Sequence, residues 1–559
     1  MKRYILLLLA LHLAAIASAL HVGDFGAAPN DDQCDTVAIN QAIAAAAEQG
    51  DPEVRFEPGV YRLVSPDSAE PQDQAYINIV ERQNIAMVGA IDAAGRPATR
   101  LERVLKLDND ADPVPQINID KSKKITLRNF VLANNPPLGS TARVTAVDRE
   151  KDVVEVEVLP DLPFYDGMRC ASAHVSDLET GKLKRFGRTP DEATLTIGLG
   201  IKSFWQAVPE SGERKLRMSG SKFAEKVEVG DGISWHHKAA EARNQTMAMN
   251  SEDLVFENII MPNVSNMGML AGFNRNLTFR KVRFEPENGN LAVGGRDGLH
   301  LSMNSGKLLV EDCYFKGLRM DPLVVRKSFG IVVSVDDNRT VTLKPGYPVS
   351  PGGKIRFWVG ESPVDLTVAN IEKVKGVSST YRYKMEQDLP GGTKEGSATT
   401  YLTYSVDEGT IRNSVFEDNF GSPIINMEDN LTIEGCTFDN NAYQVKFGPN
   451  RQSGGFVRDN IFRNNIFRNS CWVDITRRGR PSSLQIHSQS MFFNDPMYNG
   501  NILIQGNTFT NDVAESDAVA VDVRNAVSVT FENNMFNGYP EPVVVDPKNT
   551  RDIKLQQLE

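Results

Sequence analysis

A short phrase recurs through this chain and constrains its fold more than any other feature. It reads Ile125-Thr-Leu-Arg-Asn-Phe130, Leu254-Val-Phe-Glu-Asn258, Leu277-Thr-Phe-Arg-Lys-Val-Arg-Phe284 and Leu308-Leu-Val-Glu-Asp-Cys-Tyr-Phe315. It returns from Ile411 to Asn419, from Leu431 to Phe438, from Ile502 to Phe509 and from Val529 to Phe536. Most copies are a period-2 strand, a bend at Asn, Asp or Gly, and a second short strand ending in Phe. A unit this short cannot bury its own apolar face, so the copies must stack on one another. The Asn-rich bends and regularly placed Phe residues predict an all-β chain built as a right-handed parallel β-helix.

A solenoid exposes strand edges at its open end. The segment Thr36 to Gln49 follows Asp31-Asp32, stops at Gly50, and reads as a helix whose small apolar face plugs that end. Two stretches, Thr141 to Lys238 and Arg326 to Tyr404, lose the phrase and carry hairpin-like alternating strands instead, such as Val153 to Val158 and Thr340 to Leu343. They read as two related antiparallel β-barrel-like inserts. The expected order is a signal peptide at 1–19, an N-terminal cap with the first coils at 20–140, and an insert at 141–238. Central coils with the cleft follow at 239–325, a second insert at 326–406, and C-terminal coils at 407–559.

The signal peptide rests on Lys2 and Arg3, the apolar run Ile5 to Ile16 and Ala17-Ser-Ala19, a pattern too short for a membrane span. A secreted or periplasmic protein is expected, with no membrane span. The net charge of -11 argues against nucleic acid or an anionic membrane as partner. Five cysteines, Cys34, Cys170, Cys313, Cys436 and Cys471, are too few for a disulfide scaffold, and the odd count leaves a thiol free. Cys313 and Cys436 occupy ladder positions and read as core. No Cys or His spacing fits a zinc site, and no metal or cofactor is expected. Trp205, Trp235, Trp358 and Trp472 read as packing residues before sugar platforms. Exposed β-helix faces leave a homodimer open.

Two turns carry the chemistry. Asp297 in Arg-Asp-Gly-Leu-His and Asp321 in Met-Asp-Pro are 24 residues apart, one plausible coil, which would place them on adjacent rungs roughly 4.8 Å apart. A pair of carboxylates on a rigid sheet is what glycoside hydrolysis requires, although Asp is also an ordinary turn residue. His300 follows Asp297 by three and is either a ligand for a sugar hydroxyl or a structural partner of the carboxylate. Arg296, Arg319 and Arg326 surround the pair in sequence, to bind substrate or to pair with acids. Glu428 and Lys446 are expected at the pocket edge. A lyase reading needs a Lys or Arg base and usually a calcium-binding acidic cluster, and Asp312, inside a strand phrase, is expected to face out.

With these features in order, the chain resembles glycoside hydrolase family 110. The resemblance covers nearly the whole mature chain and is most specific at 294–325. It implies a bacterial exo-α-1,3-galactosidase that releases terminal galactose with inversion, through aspartates on the β-helix and without a metal. Asp297 matches the family's Asp-Gly-Ile/Leu-His turn. Asp321 matches the second acid of an Asp-Asp pair, but Met320 stands where the first acid belongs and Val324 where an Asn belongs. Gly421-Ser422-Pro423 and Gln452-Ser453-Gly454 also depart from the family's Arg-Gly and Glu-Ser-Gly. An absent acid/base group typically removes about 10² to 10⁴ in rate. An inverting pair further needs its carboxyl groups about 6.5–9.5 Å apart, which adjacent rungs provide only if the two turns are offset. The resemblance therefore leads to a hydrolase of terminal α-galactosides, with Asp297 as base and Asp321 as acid or second base. A non-catalytic glycan-binding protein is the alternative and a polysaccharide lyase the third reading.

Overall fold

The computed structural model describes residues 19–49, 52–64, 75–109, 114–196, 203–208, 214–237, 244–360, 362–450, 454–474, 480–488, 497–513 and 517–558. The expected signal peptide up to Ser18, Gly50, and Gln452-Ser453 lie outside the described residues.

The repeats form a parallel β-helix with three strand faces. One coil runs Ser305–Glu311, Tyr314–Lys316 and Leu323–Arg326; the next runs Val406–Arg412, Val415–Glu417 and Ile424–Met427, each strand pairing in parallel with its counterpart. The bend between the first two faces needs a left-handed residue, and the phrase supplies one: Asp312 at φ 54°, Asn413 at 53°, Gly435 at 63° and Asn464 at 56°. Asp312 is exposed there, as expected.

Behind the bend the phrase-ending Phe residues stack. Phe284, Phe315, Phe416, Phe438, Phe467, Phe509 and Phe536 form one column with neighbouring centroids 4.5–5.4 Å apart. Asn side chains ladder beside them: Asn465 donates to Asn507 and Asn507 to Asn534. Each amide thus satisfies a buried neighbour that a larger apolar side chain would leave unpaired. Cys313 and Cys436 are buried in this core, and all five cysteines are free thiols.

Helix α1, Thr36–Gln49, caps the end by burying Ala38, Ile39, Ala42, Ile43 and Ala46. Its Asn40 donates to the Tyr76 carbonyl and accepts from the Asn78 N–H, so it occupies backbone groups that the first strand of the third face would otherwise leave unpaired.

Both inserts leave the solenoid at corners of the third face. The first is a six-stranded antiparallel sheet from Gly139–Asp148 to Gly232–His236, whose edges are joined where 167–170 pairs with 203–205. Trp205 and Trp235, wholly buried and 5.1 Å apart, fill it. The second, from Phe329–Val335 to Ala398–Tyr401, is a closed six-stranded antiparallel barrel. Among the described residues no helix is long and apolar enough to cross a membrane.

Candidate active site

The third face carries the site. Its central strands are β1 (Met269–Gly272), β2 (Leu299–Ser302), β3 (Leu323–Arg326), β4 (Ile424–Met427) and β5 (Val445–Phe447), paired in parallel and in that order. Leu299, Leu323 and Ile424 point into the core, so alternation turns the column His300, Val324, Ile425, Lys446 outward. The corner that leads into these strands is covered by the first insert: Ser172 Oγ donates to the Gly295 carbonyl at 3.1 Å and the His174 ring lies 3.9 Å from Phe420. The opposite corner is covered by the second insert, where Tyr347 and Tyr404 contact Phe273 at 5.8 and 5.4 Å. The outward face of these strands therefore lies on the floor of a trough between two walls, with His300, Val324, Ile425 and Lys446 all buried there.

Asp297 and Asp321 lie on the covered corner and are in register. Leu299 pairs with Leu323, the Gly298 N–H donates to the Asp321 carbonyl at 3.0 Å, and Ser422 occupies the same position one rung further. The two turns have no offset, so the backbones sit a single rung apart, about 4.8 Å. Asp297 is almost fully buried, and its Oδ2 lies 2.7 Å from His300 Nδ1. A carboxylate only accepts, so Nδ1 carries the proton. Asp321 Oδ1 accepts from the Ser422 backbone N–H at 2.9 Å. Burial, followed by the charge of Asp297, pushes the Asp321 carboxyl up to about 7, against the opposing pull of Ser422, Arg296 and Lys446. Asp321 thus holds its proton well above the ordinary carboxylate range.

The other expected residues divide by position. Arg296 is half-buried beside the pair and donates to Asn266 Oδ1 at 3.3 Å. Arg326, on β3, donates to Ser302 Oγ at 3.1 Å and feels Tyr347, Asp297 and Arg296. Lys446 is buried, donates to Asn450, and acts electrostatically on Asp321. Arg319 turns away: it is buried against the first insert, donating to Ser234 Oγ and the Leu291 carbonyl, and burial pulls it down to about 10. Glu428 lies past the other end of β4, six residues from Ser422 or roughly 20 Å of extended strand. It is buried there and accepts from Ser405 Oγ at 2.6 Å.

Ser422 was not singled out for the Asp321 contact, because 101 residues and a whole barrel separate the two in sequence. Tyr347 was hidden for the same reason. Met320 is present on the rung as read, its backbone packed so closely on Gly421 that a Cβ there would lie 2.0 Å from the Met320 carbonyl carbon.

Fold and site together define a parallel β-helix with an acidic pair sunk in a trough between two inserted domains. No protein-family model matches the chain. It is similar to α-1,3-galactosidase A of Bacteroides fragilis, 20% identical over 303 residues, covering 51% of this chain and 49% of that protein. It is similar to α-1,3-galactosidase B of Bacteroides thetaiotaomicron, 24% identical over 287 residues, covering 46% and 44%. The chain thus spans about half the length of these two relatives. A longer match, to α-1,3-galactosidase A of Shewanella woodyi, is 21% identical and covers 94% of this chain and 92% of that one. Among solved structures it is similar to an exopolygalacturonase from Thermotoga maritima, at 9% identity and a TM-score of 0.43, over 97% of this chain and 92% of the other.

Proposed function

We propose that this chain is an exported glycoside hydrolase of the family 110 type that releases terminal α-linked galactose, with α-1,3 the preferred linkage. The reading is carried by one observation: Asp297 and Asp321 stand in register on adjacent rungs, and burial beside Asp297 pushes the Asp321 carboxyl up to about 7. Asp321 is the acid that protonates the leaving oxygen, and Asp297 supports the base side of the reaction. Arg296, Arg326 and Lys446 line the approach to the pair and would hold sugar hydroxyls. The relatives' names support galactose as the sugar.

A second reading, a glycan-binding protein without turnover, is favoured by Met320 at the position of an expected acid and by the one-rung spacing of the pair. The rung spacing of the two backbones, about 4.8 Å, is shorter than the about 6.5–9.5 Å between carboxyl groups that inversion uses.

The test is galactose release by residues 20–559 from a panel of α-1,3-, α-1,4- and α-1,6-galactosides, with Asp297→Asn and Met320→Asp alongside. Release that Asp297→Asn abolishes supports the hydrolase. Sugar binding without release, and release appearing only in Met320→Asp, would establish the binding protein instead.

A further inference from the structure

The Asp297 carboxylate is closed off from the trough. Its side chain is 3% exposed, Oδ2 is taken by His300, and Oδ1 is buried with no hydrogen-bond partner. A water molecule aimed at an anomeric carbon cannot reach either oxygen without displacing the imidazole. The imidazole is placed differently. His300 is on the outward side of β2, its Nδ1 is fixed by Asp297, its side chain is 10% exposed, and its Nε2 has no hydrogen-bond partner among the described residues. With the proton held on Nδ1, Nε2 is an oriented basic nitrogen facing the trough.

We propose that His300 Nε2 is the base that activates water in this site, and that Asp297 is a positioning residue that fixes the tautomer and stabilises the imidazolium. The inference rests on the hydrolase reading above. In the step, Nε2 takes a proton from water as the water oxygen bonds to the anomeric carbon. The bond to the leaving oxygen breaks with its electron pair, and Asp321 delivers its proton to that oxygen. The imidazolium and the Asp321 carboxylate that remain exchange one proton through solvent, which restores both groups. A carboxylate that orients a histidine from behind is a recurrent device in hydrolases on unrelated folds.

This assignment also resolves the spacing. The turns of Asp297 and Asp321 are in register one rung apart, whereas His300 is displaced along β2 as well as one rung across from Asp321. The base moves away from the acid, towards the separation of about 6.5–9.5 Å that inversion uses. The charged and titratable groups around the dyad are Asp321 and Arg296 on the turns, Arg326 on β3, Lys446 on β5 and Tyr347 from the second insert.

The experiment compares His300→Gln, Asp297→Asn and the double variant on the best galactoside of the panel. Loss of a general base predicts a fall of about 10² to 10⁴ in kcat for His300→Gln with little change in KM. Groups acting as one unit also predict a double variant no slower than the worse single. First-formed galactose should be the inverted anomer by proton NMR. If His300→Gln does not fold, the native chain decides: the acid limb of its kcat/KM profile should shift strongly with temperature, as imidazole ionisation does and carboxylate ionisation does not. His300→Gln within roughly ten-fold of native while Asp297→Asn is dead, or a temperature-insensitive acid limb, would make Asp297 itself the base and overturn the assignment. No release by the native chain would overturn the hydrolase reading and this one with it.

Discussion

Lys327 Nζ lies 2.8 Å from Asp429 Oδ1, and neither side chain is more than 6% exposed. The pair sits where the second barrel leaves the solenoid: Lys327 directly follows β3, and Asp429 follows β4 by two. Arg356, on the outer side of a barrel strand, reaches the same carboxylate at 2.9 Å, and Ser405, where the chain returns, bonds the adjacent Glu428. The exit and the return of the barrel are thus tied to consecutive acids of one turn.

Breaking this tie should cost more than its surface equivalents. Lys327→Met leaves Asp429 buried with Arg356 and the Arg458 N–H, and removing one partner of a buried pair costs about 3–5 kcal/mol. The lower end is expected because Arg356 remains. Urea denaturation should show a reduced midpoint, and the exposed pair Lys121–Glu81, cut by Lys121→Met, should move it by less than about 1 kcal/mol.

Glu428 gives the turn a pH dependence. Burial, and then Asp429, pushes its carboxyl up to about 8 from an ordinary 4.5, although Lys327 and Ser405 oppose the shift. The unfolded chain releases this proton near 4.5, so the folded state binds more protons between about 4.5 and 8 and loses stability as pH rises through that window. Below the window the penalty is absent and above it constant. Glu428→Gln should flatten this part of the stability profile and be the more stable protein at pH 9, by on the order of a few kcal/mol. Melting temperatures at pH 5 and pH 9 check this.

Asp321 sets the alkaline side of activity. Held up to about 7 by burial and by Asp297, it carries its proton below that value and loses it above, so kcat/KM for galactose release should fall as pH rises through about 7. Removing the neighbouring charge in Asp297→Asn should lower this limb in whatever activity remains.

The Phe column predicts a core penalty independent of the site. Phe416 is wholly buried between Phe315 at 4.7 Å and Phe438 at 5.2 Å. Phe416→Ala should cost about 3–5 kcal/mol, measurable by chemical denaturation. Phe536, at the end of the column and only partly buried, should cost less.

The solenoid was legible because its rule is local: the left-handed bend favours Asn, Asp or Gly, with Lys281 an exception at φ 53°, and the Phe three residues after it stacks on its own copies. Helix α1 was legible over Thr36–Gln49, although the acidic residues before it do not cap it: Asp31 accepts from the Gln33 N–H, Asp32 pairs with Arg62, and Asp35 accepts from the Ala28 and Arg62 N–H groups. The 24-residue spacing gave the register of Asp297 and Asp321, which no barrel interrupts. Across the second barrel that reasoning fails. Ser422 and Asp321 meet through the parallel pairing of β3 with β4, which spacing across a barrel-long insertion does not reveal, and Glu428 lies a whole strand away from the pair. Arg319, two residues from Asp321, turns the opposite way because the first insert offers Ser234, a contact no spacing reveals.

The corner after β2 is turned by Met303 and Asn304 alone, while the same corner after β3 holds the entire barrel, and the strands on either side keep identical pairing. The barrel is thus a parenthesis in the solenoid's sentence. It can be lengthened, exchanged or reduced to a two-residue turn without re-reading any rung that carries Asp297 or Asp321. Lineages of this architecture are free to remodel what the trough admits while its chemistry stays on coils that never need to be rebuilt.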